Sequence, residues 1–168
     1  MTAVADSTAL ISLASITEFH LLREFFGELV IPDAVHTEIV VQGRGRPGER
    51  EVEEAIETNW IRKMSVQNLA AVEDLMERRG FERGEAEAIL LAQEIGANWL
   101  ILDEDDKGPR RYAQELGLRV IGTLGILLLA KKAGHIESVK EKLEELKAGG
   151  FWIDPELNRH ILSAAGEA

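Results

Sequence analysis

The stretch Trp99-Leu100-Ile101-Leu102-Asp103 decides the fold. Four apolar residues in an unbroken run, closed by an acid, read as a strand covered on both faces, the pattern of a central strand in a parallel sheet. Its flanks agree. Before it, Arg83 to Ile95 carries an apolar stripe that includes Ala86, Ile89 and Leu90 and is stopped by Gly96. After it, Pro109 to Leu116 reads as a helix and Leu118-Arg119-Val120-Ile121 as the next strand. Parallel strands need such crossover helices, so helix, strand, helix, strand predicts an α/β sheet.

The alternation continues outward in both directions. Thr2 to Ala5 is a short apolar strand, and a helix around Thr8 to Phe19 or a little beyond follows, burying Leu10, Leu13 and Ala14, with Leu21 a further candidate. Leu29-Val30-Ile31 is a buried strand, and Pro32 suits a first helical turn, which makes Asp33 to Val41 helical. Residues 42–48 form a loop rich in glycine and arginine. Glu49 to Thr58 reads as a solvated helix, Trp60 to Met64 as an edge strand, and Asn68 to Arg79 as a helix ended by Gly80. Beyond Ile121, Gly122-Thr123-Leu124-Gly125 turns into an apolar helix to Ala133. Ile136 to Lys147 is amphipathic, Phe151-Trp152-Ile153 extends or covers the sheet, and Asp154-Pro155 opens a last helix. No internal repeat or domain boundary is evident. A single domain over 1–168 is expected, with 134–168 a C-terminal helical extension packed on a Rossmann-like, three-layer body whose central parallel sheet is flanked by helices.

Composition sets the limits. A chain of 168 residues with 45% hydrophobic content can bury one proper core. The absence of cysteine removes disulfides, thiol nucleophiles and thiolate ligands. No stretch approaches the roughly 18 to 20 apolar residues of a membrane span, and the first residues lack a signal-peptide pattern, so a soluble cytoplasmic protein is expected. A net charge of -11 repels polyanions and argues against holding nucleic acid on a broad basic face. Carboxylates neutralised by divalent cations would remain compatible with a nuclease.

Four acids fall at comparable element ends: Asp6 after the first strand, Glu38 in the helix after the second, Glu85 at the start of the helix before the central strand, and Asp103 at that strand's end. The crevice outside the carboxyl ends of parallel strands is where α/β sheets present chemistry. Oxygen donors there suit hard divalent cations, which can activate a water and neutralise charge at a phosphate. Each acid also has a plain structural reading. Asp6 can cap its helix, Glu38 can be solvated, Glu85 can answer the helix dipole, and Asp103 can begin a hydrated turn.

Taken in order, Asp6-Ser7-Thr8-Ala9-Leu10-Ile11, the segment from Ile31 to Ile39, Gly84-Glu85-Ala86-Glu87-Ala88-Ile89 and Leu100-Ile101-Leu102-Asp103-Glu104 resemble the successive acidic motifs of PIN domains. Val120 to Leu127 and Gly149-Gly150-Phe151-Trp152-Ile153 resemble a PIN-like subgroup related to VapC-type toxins. The resemblance implies an acidic pocket for Mg²⁺ or Mn²⁺ and hydrolysis of RNA phosphodiesters by a metal-activated water. Many members are toxins held inactive by an antitoxin protein, and a homodimer is usual. Carried over by motif, Asp6, Glu38, Glu85 and Asp103 are the catalytic, metal-binding acids, with Glu104 and Asp106 competing for the last position.

Glu87 lies two residues beyond Glu85, about 200° around a helix, so Glu85 is expected inward and Glu87 outward. The resemblance also implies that Ser7, or else Thr8, bonds a metal-bound water or the phosphate, with a plain helix-start role as the alternative. Lys107, Arg110 and Arg111 could reach phosphates, as could Arg44, Arg46 and Arg50; each cluster can equally be solvated surface. The alternative is a catalytically silent PIN-fold binding or regulatory protein, which would be free to lose the four acids. A phosphoacceptor receiver domain leaves Glu38 and Glu85 without roles.

Overall fold

The computed structural model describes residues 1–103 and 108–168. Its centre is a five-stranded sheet of β1 (Thr2–Ala5), β2 (Glu28–Pro32), β3 (Ile61–Met64), β4 (Trp99–Ile101) and β5 (Val120–Ile121), in the order β3-β2-β1-β4-β5. Every pairing is parallel, with Val4 beside Val30 on one side and Leu100 on the other. Strand side chains alternate between faces and so feed two separate cores. Ala3, Ala5, Leu29, Ile31 and Ile101 join one; Val4, Val30, Leu100 and Leu102 join the other. The α/β three-layer architecture read from the sequence is therefore the one found.

The first core is covered by α1 (Ser7–Ser15), α2 (His20–Phe26), α3 (Asp33–His36) with a π-helical turn over Thr37–Val41, α4 (Glu49–Glu57), α8 (Thr123–Lys132), α9 (Val139–Ala148) and α10 (Pro155–Ala164). The second is covered by α5 (Leu69–Arg79), α6 (Arg83–Ile95) and α7 (Pro109–Glu115). Among the described residues no helix is long and apolar enough to cross a membrane.

The helix expected from Thr8 to Phe19 or a little beyond stops at Ser15, and a second begins at His20. Thr17 adopts φ 58, and the Glu18 N–H donates to the Leu13 carbonyl at 2.8 Å, a C-terminal cap that ends α1 and redirects the chain into α2. A left-handed β-branched residue is uncommon, and apolar periodicity does not mark it. Phe151-Trp152-Ile153 forms no strand. Phe151 and Ile153 cover the first core, and the Asp154 carboxylate accepts from the N–H groups of Glu156 and Leu157 to open α10.

Candidate active site

Going outward from β1, the strand order reaches β2 and β3 on one side and β4 and β5 on the other, so the sheet's topological switch point lies between β1 and β4. Asp6 and Asp103 leave the sheet there. The Asp6 N–H is bonded to the Ile101 carbonyl at 3.0 Å, which locks the first acid beside the end of β4. Asp6 is only 4% exposed and stands at the N-cap position of α1, yet its side chain makes no cap bond to that helix. The plain capping reading is thereby set aside.

Glu38 reaches the same place from the other side. It lies in the π-helical turn after α3, where the Gln42 N–H reaches back to the Thr37 carbonyl at 2.9 Å; such turns recur at functional sites. The meeting point is Gly84, the second residue of α6. A methyl group there would lie 3.2 Å from Asp6 Oδ1 and 3.8 Å from Glu38 Oε2. The two carboxylates therefore converge on a spot that a side chain at 84 would crowd. Beside it opens a cavity of about 420 Å³ whose walls, among the described residues, include Asp33, Glu38, Glu82 and Glu87 against the cation Arg83. Its charge is set for cations.

Glu85 is buried at the head of α6, where its Oε1 accepts the Glu82 N–H at 3.0 Å. Glu87, expected to point outward, is as buried as Glu85 at 6% exposure. It accepts the Ala34 N–H at 3.1 Å and meets Arg83 at 3.5 Å. The reason is tertiary: α6 packs against the sheet on one side and α3 on another, so two directions 200° apart are both interior. Glu87 thus ties α6 to the start of α3. Arg83 is held by Glu73 as well, and those hydrogen bonds raise its already high pKa.

Asp103 belongs to the other half of the switch point. Its Oδ1 accepts the Thr123 N–H at 2.5 Å, and its Oδ2 the Thr123 hydroxyl at 2.5 Å, at the first residue of α8. Helix N-termini favour such an anion. Burial pushes the Asp103 carboxyl up, opposed by the two Thr123 bonds and by the Arg110 charge. Gly122 is again the condition: a Cβ there would sit 2.5 Å from Asp103 Oδ1. Arg110 donates to the Leu102 carbonyl at 3.4 Å, whereas Arg111 turns along α7 to Glu115 at 3.4 Å. Ser7 is buried at the start of α1. Glu104, Asp106 and Lys107 lie outside the described residues.

Asp6 and Glu38 are thus brought together, Glu85 sits one residue from their meeting point, and Asp103 is drawn toward Thr123. Among the described residues no three His, Asp or Glu side chains are gathered closely enough to hold a metal ion as a set. The residues that shape the site, Gly84, Gly122 and Thr123, carry no charge that would mark them in the sequence. A glycine early in a helix is locally costly, and that cost is the signal that something approaches closely.

The fold and site define an α/β protein with an acidic cleft at its switch point. The chain belongs to the PIN-domain family, whose model matches residues 2–167. PIN domains are generally nucleases and typically use divalent metal ions, which supports reading this chain as a nuclease. Comparison with curated proteins finds no match.

Proposed function

We propose that this protein is a metal-dependent ribonuclease that hydrolyses RNA phosphodiester bonds, with Asp6 and Glu38 as the principal ligands of Mg²⁺ or Mn²⁺ and Glu85 and Asp103 completing the acidic set. The observation that carries this reading is the convergence of the Asp6 and Glu38 oxygens on Gly84, beside an acidic cavity. The donor set fits. Mg²⁺ is commonly held by one or two carboxylates, keeping waters and substrate phosphate for its other positions. Such an ion supplies an activated water and charge neutralisation at the phosphate.

The chain's own residues do the rest. The backbone bond to Ile101 fixes Asp6 against the sheet, and Gly84 leaves the space its carboxylate uses. Asp103, held by Thr123, keeps a carboxyl with raised pKa at the far side of the crevice. Arg110, beside it, offers a local cation to a phosphate that the net charge of -11 would otherwise repel. A toxin role with a cognate antitoxin, and a homodimer, belong to the same proposal through the family resemblance.

The test is cleavage of a panel of defined RNAs with and without Mg²⁺ or Mn²⁺, comparing wild type with Asp6→Asn and Asp103→Asn. Metal-dependent cleavage lost in Asp6→Asn is expected. Cleavage indifferent to metal, or unchanged in both variants, would remove the proposed site. A folded, metal-binding protein that cuts nothing in the panel would favour the silent binding-protein reading instead.

A further inference from the structure

The Asp103 half of the crevice borders a second cavity, of about 720 Å³, whose lining includes the segment between α9 and α10. There Trp152 is 77% exposed, although its neighbours Phe151 and Ile153 are packed into the first core. The segment is pinned at both ends, by the Phe151 N–H on the Leu146 carbonyl at 3.0 Å and by the Asp154 cap of α10. An indole held in solvent on a fixed backbone loses little freedom when something covers it. Asp103, Arg110 and the exposed Gln114 line the same cavity.

The geometry points to a stacking subsite for an unpaired base of single-stranded RNA, with Trp152 as the platform, Arg110 toward the flanking phosphate and Gln114 at the base edge. This rests on the nuclease reading above and names its substrate class. Three features select that occupant. The cavity is continuous with a proposed catalytic acid, so what fills it adjoins the reacting phosphate. Its walls pair apolar surface with an amide and a guanidinium, the groups that engage a base face, a base edge and a phosphate. With a net charge of -11, phosphate contacts alone hold a strand weakly, and stacking becomes the main source of affinity. A base inside a duplex cannot offer its face to Trp152.

The experiment is binding of a fluorescein-labelled single-stranded RNA in EDTA, followed by anisotropy, beside an abasic ribose-phosphate oligomer of equal length. Trp152→Ala should weaken RNA binding about tenfold, in line with stacking losses on alanine substitution, and leave the abasic oligomer unchanged. Trp152→Phe should restore most of the affinity. Because the ring is exposed, circular dichroism of both variants should match wild type. Wild type that binds no RNA, equal RNA binding by wild type and Trp152→Ala, or equal loss on both ligands would overturn the subsite. So would a dimer by sedimentation that Trp152→Ala converts to monomer, since the face would then belong to a second copy. Binding is read without turnover, so the two readings fail separately. A wild type that stacks RNA but never cleaves it sinks the nuclease and keeps the subsite; Asp6-dependent cleavage with Trp152→Ala indifferent does the reverse.

Discussion

The two halves of the switch point use one local device for different ends. In each, a carboxylate oxygen lies against a glycine where a helix begins: Asp6 against Gly84 at 3.2 Å, and Asp103 against Gly122 at 2.5 Å, measured to the position a Cβ would take. On the Asp6 side a second carboxylate, from the exposed Glu38, shares the spot, and the adjoining cavity is strongly acidic. On the Asp103 side both oxygens are engaged by Thr123, and the adjoining cavity is walled largely by apolar residues. Close approach to a glycine positions an acid; what surrounds the other oxygens decides whether it presents charge or stores it.

That contrast can be broken by substitution, beginning with the largest effect. Asp6→Asn should lower cleavage at least about a hundredfold, since several kcal/mol of charge stabilisation are at stake, with Glu38→Gln following the same direction. Equal or greater loss in Asp103→Asn would reverse the ranking of the halves. The glycines come next. Gly122→Ala must displace Asp103 from Thr123 and should cost about 1–3 kcal/mol in urea unfolding. Gly84→Ala asks Asp6 for a few tenths of an ångström and should leave stability within about 1 kcal/mol of wild type, because alanine favours the helix. Its damage should appear in cleavage instead.

A pH comparison sharpens the picture further. Because burial raises the Asp103 pKa, this carboxyl stabilises the fold below its ordinary 3.8 and that contribution is lost as pH climbs through the raised value. Asp103→Asn cannot ionise. Its Tm should therefore gain on wild type as pH rises from below 4 toward neutrality; parallel curves would mean that Asp103 titrates normally.

The smallest effect is a control remote from both halves. Burial of the Glu167 carboxyl is outweighed by the Ser138 hydroxyl, Lys131 and the N–H groups of Val139 and Lys140, which hold its pKa down at about 2. Its stabilisation is present above the ordinary 4.5 and is lost as pH falls through about 2. Glu167→Gln should lower the Tm by a few degrees at neutral pH, converge with wild type in strong acid, and leave cleavage untouched.

Much of this was legible in the sequence where local rules govern. The helix over Arg83–Ile95 has the expected bounds because Gly96 takes the left-handed conformation that stops it. The run at Trp99 is a central strand because residues on both its faces are buried. The order of acids along the chain named Asp6 and Glu38, which meet at Gly84. What was not legible is tertiary. The inward turn of Glu87 depends on α3 lying beside α6, and the bonds from Asp103 to Thr123 join residues 20 apart in sequence. No period in the sequence records either contact.

In the function proposed above, the Asp6 half of the crevice, and not the Asp103 half, holds the cation. Calorimetric titration of Mn²⁺ into wild type, Asp6→Asn and Thr123→Val tests it without any substrate. Binding to wild type is expected, with a loss of at least about tenfold in affinity for Asp6→Asn and near-wild-type affinity for Thr123→Val, which perturbs only the seat of Asp103. Unchanged Mn²⁺ affinity in Asp6→Asn, with loss in Thr123→Val, would contradict it.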